Sequence, residues 1–77
     1  MNNLDLKELI FKIAKSQDRI SFNRIFEYFS PRIMGYLISS GTNRAISEEI
    51  TQEVLSTVWL KAYQFDQKIA NVSTWVF

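Results

Sequence analysis

Apolar residues recur at steps of three and four along most of the chain, and no stretch alternates apolar and polar residues long enough to make a strand. Helices are therefore expected throughout. Leu6, Leu9, Ile10 and Ile13 form one stripe and predict a first helix over about residues 5–15, with Asp5 and Glu8 at capping-box spacing. Ser16, Gln17 and Asp18 break that pattern and offer a cap for the next helix.

Phe22, Ile25, Phe26, Phe29, Ile33 and Leu37 place a second helix over about residues 18–40. Pro31 lies inside it and takes away the donor for the Glu27 carbonyl. The apolar phase passes through Pro31 without a slip, so a kinked continuous helix is expected, ending near Gly41. A third helix starts between Asn43 and Ser47 and covers about residues 45–63, with Glu48 and Glu49 in its first turn, where negative charge suits the helix dipole. Gln64 to Val72 reads as a connection with Phe65 tucked beneath it, and Ser73 is expected to cap a fourth helix.

The expected architecture is all-α: one domain over residues 1–77, a small bundle of three helices plus the start of a fourth at about residue 73. Leu9, Ile13, Phe22, Phe26, Phe29, Ile33, Leu37, Ile50, Val54, Val58 and Trp59 are expected to be buried together. A helix that begins Trp75-Val76-Phe77 and has no body suggests a boundary drawn through a larger domain. Its apolar end is expected to self-associate, to swap between copies, or to pack against the second helix.

At about 100° per residue, Ile50, Thr51, Val54, Leu55, Val58, Trp59 and Ala62 share one half of the third helix. Glu49, Gln52, Glu53, Ser56, Leu60 and Tyr63 form a band on the other side. Hydrogen-bond acceptors at one end of that band and apolar groups at the other suit a partner, although early glutamates and single exposed leucines are also ordinary on solvated helices.

Composition narrows the chemistry. Cysteine and histidine are both absent, and nine basic residues nearly balance eight acidic ones, for a net charge of +1. Disulfides, thiolate chemistry and the commonest general base are excluded. Arg24, Arg32 and Arg44 are spread over two helices and a loop, without the basic face of a free-standing DNA binder. Glu49 and Glu53 lie on adjacent exposed turns with no nucleophile–base pair, phosphate loop or metal cluster beside them, so neither an enzyme nor a cofactor or metal site is expected. Tyr28, Tyr36, Trp59 and Trp75 read as core or core-edge aromatics rather than a base-stacking platform. No membrane span is present, and a cytoplasmic protein is expected.

The run Glu48-Glu49-Ile50-Thr51-Gln52-Glu53-Val54-Leu55 resembles the acid-acid-leucine-x-Gln-Glu-x-aliphatic or aromatic core of sigma-factor region 2. Trp59 follows where that family commonly has an aromatic. Phe22, Tyr28, Phe29, Pro31 and Leu37 are similar to the preceding helix of extracytoplasmic-function (ECF) sigma factors, and Phe65-Asp66 with Thr74-Trp75-Val76-Phe77 resembles the turn and the Thr-Trp-Leu-Phe/Tyr segment that follow.

The resemblance spans about residues 18–77. It implies an RNA polymerase-binding module whose third helix docks on the coiled-coil clamp helices of the β′ subunit through Glu49, Gln52, Glu53, Ser56 and Leu60. These are five of the six residues in the band. The intact protein would direct promoter −10 recognition and transcription initiation, with an anti-sigma protein as a second partner. Two departures stand out: Glu49 replaces the usual aspartate, and Leu55 stands where many members have phenylalanine. The family's DNA-reading residues would come after Phe77. The alternative is an unrelated helical adaptor that presents the same face to some other protein.

Overall fold

The computed structural model describes residues 1–65 and 71–76. Over these residues the fold is α1 (Asn3–Ser16), α2 (Arg19–Ser39), α3 (Arg44–Lys61), a 3-10 turn (Ala62–Gln64) and α4 (Val72–Val76), with no strand. Asp66 and Phe77, at the ends of the anticipated turn and terminal segment, lie outside the described residues.

Short polar residues set the helix starts. Asn2 and Asp5 make a reciprocal capping box, so α1 begins one turn before the anticipated Asp5–Glu8 box. Gln17 ends α1 in a left-handed conformation, and its N–H donates to the Ile13 carbonyl at 2.8 Å. Asp18 then caps α2, accepting from the Ile20 N–H at 3.3 Å and the Ser21 hydroxyl at 2.6 Å. The Ser21 bond holds the Asp18 carboxyl below its ordinary value of 3.8. The stability from this cap is therefore complete above that pH and is lost as pH falls through the lowered value.

α2 runs unbroken through Pro31. Glu27 and Pro31 are both exposed, so water can take up the carbonyl that the proline leaves without a donor. At the far end Gly41, at φ 95°, closes the helix: its N–H donates to Ile38 and the Thr42 N–H donates to Leu37, both at 3.0 Å. That pairing is a Schellman motif, and it needs a residue comfortable at positive φ. Asn43 caps α3 through a 2.9 Å bond from the Ile46 N–H. Arg44, anticipated in a loop, is the first residue of that helix and pairs with Glu48 at 3.7 Å.

The core joins Leu6, Leu9, Ile10 and Ile13 of α1 to Ile25, Phe29 and Ile33 of α2, Leu55 and Val58 of α3, and Ala62, Phe65, Val72 and Val76. Its membership corrects the anticipated set. Along α2 the buried line runs Ser21, Ile25, Phe29, Ile33 at steps of four, which turns the core axis toward Ser21. Phe26 consequently sits at the rim with 36% of its surface exposed, while Phe22 and Leu37 are half-buried. Along α3 the deepest residues are Ser47, Thr51, Leu55 and Val58, and Ile50, Val54 and Trp59 flank them half-buried. Tyr36, anticipated at the core edge, is 62% exposed.

The C-terminal segment also differs from expectation. Asn71, not Ser73, caps α4 by accepting from the Thr74 N–H at 3.3 Å. Asn3 of α1 accepts from the Val72 N–H at 3.0 Å, tying the two ends of the chain together. Val72 and Val76 are buried against α1 and α3 rather than α2, and Trp75 meets Phe65 edge-to-face at 5.3 Å. Over the described residues this end is packed, not left as a bare apolar tip.

Candidate docking face on the third helix

Each site residue owes its position to the phase of α3. With Ser47, Thr51, Leu55 and Val58 turned inward, the residues about 105–175° away on the wheel face out. Glu49, Gln52, Glu53, Ser56 and Leu60 are all exposed, and the structure brings all five onto one continuous band. Tyr63 prolongs the band from the 3-10 turn at 69% exposure, beside Leu60 at 66%. Leu4 and Ile20 are as open to water elsewhere on the molecule, so what marks Leu60 and Tyr63 is their place together at the end of an acidic ridge.

Among the described residues Glu49 and Glu53 make no ion pair, whereas neighbouring Glu48 is engaged with Arg44. Their carboxylates are thus available to an incoming cation without breaking an internal contact. The helix beneath them is firmly held. The Thr51 hydroxyl, buried, donates to the Ser47 carbonyl at 2.7 Å, and the Thr57 hydroxyl donates to the Glu53 carbonyl at 3.0 Å. Trp59 is fixed from the other side by Phe22 of α2, ring centroids 5.0 Å apart at 66°.

The band is a ridge between two shallow grooves. Toward α2, a groove of about 470 Å³ is lined by Arg19, Phe22, Asn23, Ser56, Trp59 and Leu60. Toward α4, one of about 290 Å³ includes Ile50, Glu53, Val54, Thr57 and Trp75. Sequence reasoning placed the ridge but missed the α2 side of the first groove. Arg19 and Asn23 lie four residues apart, on one helical edge, and that spacing was the available signal. Two of the three arginines weighed for nucleic acid have local partners: Arg44 pairs with Glu48 at 3.7 Å, and Arg32 stacks on the Tyr28 ring at 3.7 Å and donates to the Tyr28 carbonyl at 2.6 Å.

Among the described residues no helix is long and apolar enough to cross a membrane. No family model matches the chain. Comparison with individual proteins is more informative. A three-dimensional match places this helical arrangement on SigE of Rhodobacter sphaeroides, solved in complex with the anti-sigma ChrR, at a TM-score of 0.92 and 36% identity over 100% of this chain and 45% of that one. The fold is that of sigma-factor region 2.

In sequence, the chain is 38% identical over 73 residues to the ECF RNA polymerase sigma factor RpoE of Cereibacter sphaeroides, covering 95% of this chain and 40% of that protein. It is 28% identical over 72 residues to the ECF RNA polymerase sigma factor SigK of Mycobacterium tuberculosis, covering 94% and 38%. The homologues of this chain are therefore ECF RNA polymerase sigma factors, and the unrelated-adaptor alternative falls. The chain spans about two fifths of the length of the curated relatives it matches.

Proposed function

We propose that this chain is the N-terminal part of a sigma region 2 domain and that the outer face of α3 docks on the coiled-coil clamp helices of the RNA polymerase β′ subunit. In the whole protein that docking serves promoter −10 recognition and transcription initiation in the cytoplasm, with no catalytic step of its own. The DNA-reading residues belong beyond Phe77. One observation carries the reading: Glu49, Gln52, Glu53, Ser56 and Leu60 are exposed together on one rigid helix, with both ridge carboxylates uncommitted among the described residues. A basic clamp surface would meet Glu49 and Glu53 in charge-assisted hydrogen bonds that fix register, while Leu60 adds apolar contact. An anti-sigma protein is a second partner on the same logic, since the homologous SigE was solved with one.

The test is Glu53→Lys in titrations against isolated clamp helices. Helix content and thermal midpoint should stay nearly unchanged, because an exposed substitution shifts stability by less than about 0.5 kcal/mol. Binding should weaken at least about tenfold, from a lost charge-assisted contact and a new like-charge clash. Glu8→Lys is the matched control: the same charge change on α1, costing only an exposed pair with Lys12. Equal losses from the two changes, or no binding by the wild type, would remove the proposal.

A further inference from the structure

α4 is held at its first residue by the other end of the chain. Val72 has no exposed surface, so its N–H cannot turn to water, and the first N–H groups of a helix have no partner within it. The Asn3 side chain accepts from that N–H at 3.0 Å. Asn71 accepts from the Thr74 N–H at 3.3 Å, and the half-exposed Ser73 can reach water. Asn3 is in turn the first residue of α1, and the reciprocal bonds between Asn2 and Asp5 hold that turn in place. Leu6 and Ile10 follow on the same edge of α1 and enter the core that also takes in Val72 and Val76.

Apolar packing fixes the depth of α4 but not its angle. Val72 and Val76 would stay buried against α1 and α3 over a range of rotations of so short a helix, because burial is non-directional. A hydrogen bond is directional, and this one ties the start of α4 to a single helical residue of α1. Resting on the reading above, in which the promoter-reading residues follow Phe77, we propose that Asn3 is a positioning residue for them. It sets the direction in which α4 delivers the chain to the promoter. α1 then has a task besides covering the core, and that task is separate from the docking done by α3. Asn3 lines neither groove beside the ridge, so its loss should leave clamp docking intact and misdirect promoter opening.

Two changes at one position test this. Asn3→Ala removes the acceptor, whereas Asn3→Asp keeps an oxygen in the same place and suits the first turn of α1. In this chain the Val72 amide should exchange with solvent at least about fivefold faster in Asn3→Ala, as one lost hydrogen bond implies, and near the wild-type rate in Asn3→Asp. Affinity for the isolated clamp helices should stay within about twofold of wild type in both. In holoenzyme assembled with the whole sigma factor, opening is read as permanganate reactivity of unpaired thymines on a promoter that the wild type opens. It should fall severalfold in Asn3→Ala and recover in Asn3→Asp. Ile33→Val, a buried truncation on α2, is the control for general loss of stability and should leave exchange at Val72 and opening near wild type. Unchanged exchange in Asn3→Ala, wild-type opening despite faster exchange, or an equal loss of opening in Ile33→Val would each overturn the assignment. A wild-type holoenzyme that opens no promoter would overturn it as well. The docking reading falls separately, if the wild type does not bind the clamp helices.

Discussion

The two faces of α3 put similar residue types to opposite uses. Facing inward, Ser47 and Thr51 are essentially fully buried alongside Leu55 and Val58. Facing outward, Ser56 is exposed between Gln52 and Leu60. A hydroxyl buried in a helix is tolerable only when it has an acceptor. Thr51 finds one in the Ser47 carbonyl, and Ser47 reaches toward the Thr42 carbonyl at 3.5 Å. Their small size lets the first turns of α3 sit close to the core, leaving the larger Leu55 to fill it further along. On the outer face, among the described residues, neither glutamate carboxylate has an ion pair, Leu60 is open to water, and Tyr63 only accepts from the neighbouring Gln64 amide at 3.1 Å. Polarity alone therefore does not separate core from contact surface on this helix; angle does.

The sharpest way to break the comparison is to hollow the inner face. Leu55 has no exposed surface, and Leu55→Ala should cost about 2–5 kcal/mol in urea unfolding, from lost transfer energy plus the cavity left behind. In a 77-residue chain that approaches the whole stability, so a folded fraction visibly reduced at room temperature is the expected result. A loss below about 1 kcal/mol would mean that the inner face is not the packed side. Overfilling the same face should hurt less. Ser47→Leu adds volume where no room exists and should cost about 1–3 kcal/mol, checked by the same unfolding curve.

Much of this arrangement was legible in the sequence because it depends on local phase. The α3 stripe, the passage of α2 through Pro31 and the closure at Gly41 all follow from residues within a few turns of one another. The misses share a different cause. Phe26 lies at the rim because α2 must serve α1 and α3 at once, which rotates its buried line toward Ser21. The α4 cap involves Asn3, 69 positions from the N–H it accepts, and no local pattern announces such a bond. The ridge at Glu49, Gln52, Glu53, Ser56 and Leu60 could be read from one helix. The groove toward α2 could not, since it exists only once α2 is known to lie against that edge of α3.

The smallest effect sharpens the comparison most, because it changes one atom on the outer face. Among the described residues Ser56 makes no side-chain hydrogen bond that its removal would break, and it sits mid-helix, where serine is a poorer helix former than alanine by a few tenths of a kcal/mol. Ser56→Ala should therefore raise stability slightly, by up to about 0.5 kcal/mol, seen as a higher urea midpoint with an unchanged slope. The same change removes a polar group from the edge of the groove toward α2. Binding to the clamp helices should weaken severalfold, since a neutral hydrogen bond at an interface contributes about 0.5–1.5 kcal/mol. Stability and affinity would then move in opposite directions from a single hydroxyl. A residue kept for structure would lose both, and a residue kept for nothing would gain stability at no cost in binding, so either of those results would place Ser56 outside the docking face.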